Sequence, residues 1–201
     1  MFSIIQAAGW PIWPLIFASI IALAIIAERF WSLRASAVAP KGLLNQVVQE
    51  YKQNGTANIG KLAEGSPLGQ VFAAGLKNVD ATPAVMKESI EESGRAVAAG
   101  LERFLTTLGT IAAVSPLLGL FGTVIGMIEI FGSSSPTGNS NPTQLAHGIS
   151  VALYNTAFGL VVAIPSMIFY RHFRSTVDTL LLDMEMQATK LVEIIHGERK
   201  A

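Results

Sequence analysis

The 201-residue sequence contains no cysteine. Disulfides, thiolate nucleophiles and cysteine-ligated metals are therefore excluded, and redox chemistry gives no hint of compartment. Charge is the second shortage. Only 14% of residues are charged, against 51% hydrophobic, whereas an average soluble domain carries roughly a quarter charged residues. Too few ionic groups are present to clothe a water-facing globule of this size. The 14 basic and 14 acidic residues cancel and form no long basic run, which argues against nucleic acid as a partner, because phosphate binding needs a concentrated positive face. The composition is that of a membrane protein in contact with a lipid bilayer.

What charge there is falls unevenly. None precedes Glu28, and between Arg103 and Arg171 only Glu129 interrupts an uncharged block. A helix needs roughly 20 apolar residues to cross about 30 Å of hydrocarbon, and three stretches meet that length. The first runs from about Trp10 to Phe30, with Trp10, Trp13 and Trp31 where aromatic belts sit. It lacks the basic segment that precedes a cleaved leader, and so reads as a span. GSSSPTGNSNPTQ (Gly132–Gln144) cuts the long block in two. One helix is expected to end near Phe131 and the next to start near Leu145. Every Lys and Arg lies in Arg29–Arg103 or Arg171–Ala201, which places both regions in the cytoplasm under the positive-inside bias. The N-terminus and the middle loop then face outward.

The expected fold is an all-α membrane protein with three transmembrane helices, the second and third long and extending into the cytoplasm, and short cytoplasmic helices between spans 1 and 2. Its parts are residues 1–33 (outer N-terminus and first span), 34–82 (cytoplasmic helical segment), 83–131 (long helix with the second span), 132–144 (outward-facing loop) and 145–201 (third span and cytoplasmic C-terminal helix). Within 34–82, breaks such as Pro40-Lys-Gly and Gly65-Ser-Pro leave short helices, among them Leu43–Lys52 and Leu68–Asn78. That is too little apolar material for a core of its own. From Pro83, Met86, Ile90, Val97, Leu101, Phe104 and Leu108 form one stripe at helical spacing, with Gly94 in its gap. No turn residue interrupts it, and one helix from Pro83 to Phe131 would be about 73 Å long. A second stripe, Phe173, Val177, Leu180, Met184, Leu191 and Ile195, prolongs the third span. Both stripes must be buried, on each other or on neighbouring copies, and the expectation is an oligomer.

Catalytic sets are missing. His147, His172 and His196 are far apart in sequence and lack a second ligand at metal spacing, and GLFGTVIG has no basic residue to make a phosphate loop. The expectation is no enzyme, no cofactor and no metal. What remains is the small and polar content of the two later spans. Gly119, Gly122 and Gly126 include a GxxxG pair that lets another helix approach closely. Ser115 and Thr123 are eight apart, nearly two turns, and share a face. In the third span Gly148, Ala152, Asn155 or Thr156, Gly159, Ala163 and Ser166 form a small-and-polar stripe. Such a stripe suits either tight packing with hydroxyls bonded to their own helix or a cavity or partner helix. An unbonded Asn in hydrocarbon costs several kcal/mol, so Asn155 and Thr156 point to the second use. Pro116 and Pro165 each remove a helical hydrogen bond and are expected to bend their helices. Glu129, about one turn inside the outer loop, suits an interfacial role or proton handling. A conducting path with no acid or base at mid-membrane needs a titrating group from a second protein.

SPLLGLFGTVIGM (Ser115–Met127) together with GISVALYNTAFGLVVAIPSMIFY (Gly148–Tyr170) resembles the paired motif of the MotA/TolQ/ExbB proton-channel family. The three-span, N-out layout is similar to its ExbB and TolQ branch. That resemblance implies a homopentamer in the bacterial inner membrane around the single-span helices of an ExbD-like partner. The partner supplies the proton-carrying aspartate, the 132–144 loop is periplasmic, and proton flow powers TonB-dependent outer-membrane transport through a TonB-like protein. A TolQ-like role in envelope integrity is the alternative within the family, and a non-conducting membrane scaffold the alternative outside it. Thr123 in GTVIG and Thr156 in NTAFG correspond to the family's pore-lining threonines, and Pro116 to the proline that opens the second-helix motif. The expected pore- or partner-facing set is Thr123, Thr156, Asn155, Ser115 and Glu129. Helix packing and kinks fall to Gly119, Gly122, Gly126, Gly159, Pro116 and Pro165. Val151 stands where many members carry a glutamate.

Overall fold

The computed structural model describes residues 9–54, 58–133 and 142–197, with the side chains of residues 54, 130, 133, 142, 144, 145, 147 and 151 undescribed. Among the described residues the regular structure is entirely helical: α1 (Ile12–Ser32), α2 (Ala35–Val38), α3 (Leu43–Asn54), α4 (Ile59–Gly65), α5 (Pro67–Leu76), α6 (Pro83–Leu101), α7 (Leu105–Ser133) and α8 (Pro142–Ile195). Three stretches are long and apolar enough to cross a membrane: Ile12–Ser32, Pro83–Glu129 and Gly148–Ile195. The chain is thus an all-α membrane protein with two of its three spanning runs far longer than a bilayer requires.

The starts and stops have local causes. The Ser66 hydroxyl accepts from the Gly69 amide at 3.1 Å, with Pro67 in the first helical position of α5. The Asn58 side chain accepts from the Lys61 amide at 3.2 Å and opens α4. Pro83 and Pro142 likewise begin α6 and α8, where a missing N–H costs nothing. Gly42, at φ 83, closes the Pro40-Lys-Gly turn ahead of α3 with the Leu43 amide on the Pro40 carbonyl, a backbone position that favours glycine.

Contacts divide the chain into two units, Met1–Glu28 with Phe104–His172, and Arg29–Arg103 with Phe173–Ala201. All charged residues except Glu28, Glu129 and Arg171 belong to the second. In that unit, the short helices are not an independent core. Phe72, Leu68 and Val71 of α5 are buried, α5 packs on α6, and the Ser89 hydroxyl of α6 donates to the Ala74 carbonyl at 3.0 Å. Phe173, Val177, Leu180, Met184 and Leu191 are all buried as well.

Most of both stripes is buried within one chain, one of the two ways of burying them that the spacing allows, while Ile90 and Ile195 are half-buried. Three details depart from the sequence reading. The second long run is not one unbroken helix, since α6 ends at Leu101, α7 begins at Leu105, and Phe104 between them has φ 64. Phe104 itself is exposed although the stripe included it. The helices of the later spans reach further along the sequence than expected, to Ser133 and from Pro142; residues 1–8 and 134–141 lie outside the described residues.

Candidate functional site: the seam between the second and third spans

In the first unit α7 and α8 meet along their smallest residues. A methyl group on Gly119 would come within 2.8 Å of the Asn155 carbonyl oxygen and 3.1 Å of the Thr156 Cα. On Gly159 it would meet the Ser115 carbonyl oxygen at 2.7 Å and the Gly119 Cα at 3.1 Å. On Gly122 it would strike the Asn155 Cβ and Cγ, both at 2.7 Å. Backbone lies on backbone here, so only hydrogen fits. At Gly126 the nearest atoms, from Ala152 and Gly148, stand 3.7 Å away, and the approach relaxes to ordinary contact. Near the other end, a methyl group on Gly109 would stand 3.1 Å from the Tyr170 ring. In lipid, where burying apolar surface gives no advantage, close backbone contact of this kind is what holds helices together.

The candidate polar residues separate into two groups. Asn155 (0% exposed) and Ser115 (1% exposed) lie inside the seam. The Ser115 hydroxyl donates to its own helix at the Ile111 carbonyl, 2.7 Å away. Ser166, equally buried, does the same to Val162 at 2.7 Å, so each hydroxyl beside Pro116 and Pro165 bonds back to its own helix. Thr123 and Thr156 are only half-buried, and the Thr123 hydroxyl donates to Leu120 at 2.6 Å. Glu129 is exposed, between the exposed Ile128 and Phe131. Pro116 and Pro165 both lie inside helices, the first half-buried and the second exposed. The outward faces carry large apolar side chains, among them Leu117, Leu120, Val124, Val161 and Ile164. Trp10 meets the Phe121 ring edge-on at 6.3 Å, fastening the approach to the first span onto α7.

The side chains of His147 and Val151 lie outside the described residues. His172 is exposed, while both ring nitrogens of His196 lie near carbonyls, Nδ1 at 3.1 Å from Val192 and Nε2 at 3.4 Å from Ala81. Among the described residues no three His, Asp or Glu gather into a metal-holding group. One residue escaped the sequence reading. Arg29 is 4% exposed and its guanidinium donates from Nη1 to the Leu101 carbonyl at 3.0 Å; in sequence it was merely the first cation after a span.

The fold and this seam define a three-span helical membrane protein whose two later spans are joined through glycine. A family model described as the MotA/TolQ/ExbB proton channel family matches residues 63–186. With that match the chain belongs to the MotA/TolQ/ExbB proton channel family. Similar proteins include a putative biopolymer transport protein ExbB-like 3 of Synechocystis sp., 38% identical across 85% of this chain and 83% of its own. The biopolymer transport protein exbB1 of Vibrio cholerae is 32% identical across 81% of this chain and 74% of its own. A Tol-Pal system protein TolQ of Haemophilus influenzae is 31% identical across 64% of this chain and 61% of its own.

Proposed function

We propose that the chain is the channel-forming, stator-like subunit of an inner-membrane complex that, with an ExbD-like single-span partner, uses the proton motive force to energise TonB-dependent outer-membrane transport. In this reading several copies, five by family resemblance, surround the partner's helices. The N-terminus is periplasmic and the C-terminus cytoplasmic.

The observation that carries the reading is the division of the polar residues. Ser115 and Asn155 are buried inside the chain, whereas Thr123 and Thr156 are only half-buried and so can face a partner helix. A hydroxyl can accept one proton while passing on another, and a backbone fixed by Gly119, Gly122 and Gly159 holds it in place. Neither span carries a carboxylate or a basic side chain at mid-depth, so the group that gains and loses the proton comes from the partner. Exposed Glu129 stands at the outer mouth. One elementary charge crossing 100 mV is worth about 2.3 kcal/mol, enough to displace a packed helix contact.

The test is Thr156→Val with the partner coexpressed. Partner-dependent uptake across the outer membrane should be lost while the assembled complex is recovered at its usual mass; unimpaired uptake refutes the role of Thr156. The TolQ-like alternative, supported by the TolQ relatives, predicts instead that deletion leaves uptake intact and makes the envelope leak.

A further inference from the structure

The first span ends in an exposed indole and a cation that no carboxylate neutralises. At the standard rise the 21 residues of Ile12–Ser32 make about 31 Å of helix, close to the thickness of the hydrocarbon. Trp10 and Trp13 stand near its start, and Trp31, in its last turn, reaches the depth of the lipid headgroups, where indole rings collect. Trp31 is 73% exposed and Phe30 beside it 49%. The Arg34 guanidinium lies over the Trp31 ring, 4.7 Å from its centroid. The backbone beneath it is pinned, because the Arg34 carbonyl accepts from the Ala37 and Val38 amides at 2.9 and 3.1 Å. Pinning and stacking together hold a flat fork of N–H donors in place at the end of the span. Among the described residues Arg34 makes no ion pair. From residue 29 to residue 49 the sequence carries Arg29, Arg34 and Lys41 and no acid. Arg29 is buried and donates to the Leu101 carbonyl, whereas Arg34 is exposed.

We propose that Trp31 and Arg34 form a binding site for the headgroup of an anionic phospholipid. The planar guanidinium matches the phosphate with two parallel N–H···O bonds, and the indole receives the apolar part of the lipid just below it. A zwitterionic headgroup would bring its own cation to a stretch with no acid to receive it, so net negative charge is selected. This site stands apart from the proton path, and it is the same whether the complex serves transport or envelope integrity.

The test uses the full chain in nanodiscs of phosphatidylcholine into which phosphatidylglycerol is mixed at rising fractions, with thermal melting as the readout. The melting temperature of the native chain should rise as the anionic lipid enters, because a ligand that binds only the folded state stabilises it. Arg34→Gln should need about tenfold more phosphatidylglycerol for half of that rise. Lys41→Gln, which removes an equally exposed cation from the same acid-free stretch, should leave the half-point where it was. Trp31→Ala should move it in the same direction as Arg34→Gln. Inorganic phosphate added to discs of phosphatidylcholine alone should not reproduce the rise, since it offers the indole nothing apolar. If Arg34→Gln does not assemble, Arg34→Lys keeps the charge without the fork, and its half-point should fall between those of the native and Trp31→Ala chains. A native chain indifferent to phosphatidylglycerol overturns the site. So does an unchanged half-point in the Arg34 variant, an equal shift in Lys41→Gln, which would mark unspecific surface attraction, or a full rise with inorganic phosphate, which would mark a free-anion site.

Discussion

The two units of this chain solve the same problem, holding helices together, with opposite residues. In the unit that contains nearly all of the charge, the core is built of large apolar side chains, with Phe72, Met86, Phe173 and Leu191 fully or almost fully buried. In the other unit, which holds only Glu28, Glu129 and Arg171 of the charged residues, large apolar side chains such as Leu117, Val161 and Ile164 are exposed, and the helices touch through glycine and buried serine and asparagine. The difference follows from the solvent. Water expels apolar surface at about 25 cal/mol per Å², so large side chains make a good core there. Lipid does not expel it, and contact must come from close packing and hydrogen bonds.

Substitutions that exchange the two strategies should undo the contrast. Gly159→Leu should have the largest effect, because its side chain would enter the space of the Ser115 carbonyl and Gly119; size-exclusion chromatography after extraction should show no monodisperse complex. Gly126→Ala, whose added methyl would sit at an ordinary contact distance of 3.7 Å from Ala152 and Gly148, should elute as the native protein does. Phe72→Ala should lower stability by about 3–5 kcal/mol, measured by denaturant unfolding of the second unit's fluorescence and hydrogen exchange. At Gly94 a methyl group would meet no atom of another element within 4 Å among the described residues, so this glycine should behave opposite to Gly159: Gly94→Ala should raise stability by about 0.5–1 kcal/mol. Smallest of all, Ser115→Ala should cost no more than about 1 kcal/mol, because its hydroxyl bonds only to its own helix at Ile111.

Much of this division could be read from charge. The boundaries of the units, at Glu28/Arg29, Arg103/Phe104 and His172/Phe173, fall within two residues of where the charged residues begin, stop and resume, since one solvent boundary dictates both. The stripe through Phe173, Val177 and Leu191 was legible for the same reason. The partner of a helical face was not. Periodicity says that Asn155 and Ser115 share faces with small residues, but a face turned to a neighbouring helix and one turned to a lumen have the same spacing, and only the contacts at Gly122 and Gly159 separate them. The break at Phe104 was illegible because neither glycine nor proline occurs at residues 102–104. Helices α2 and α4 were missed because they are short and Asn58 caps the latter from a segment rich in breaks.

The hydroxyls that the seam leaves at its edge carry the proposed activity. Proton flux should be followed with a trapped pH-sensitive dye in liposomes holding the complex of this chain with its single-span partner, comparing the native protein with the Thr123→Val, Thr156→Val double variant at an imposed potential. A fall to the leak of empty liposomes, with flux restored when both positions carry serine, is the predicted result. Native flux from the double valine variant would contradict it.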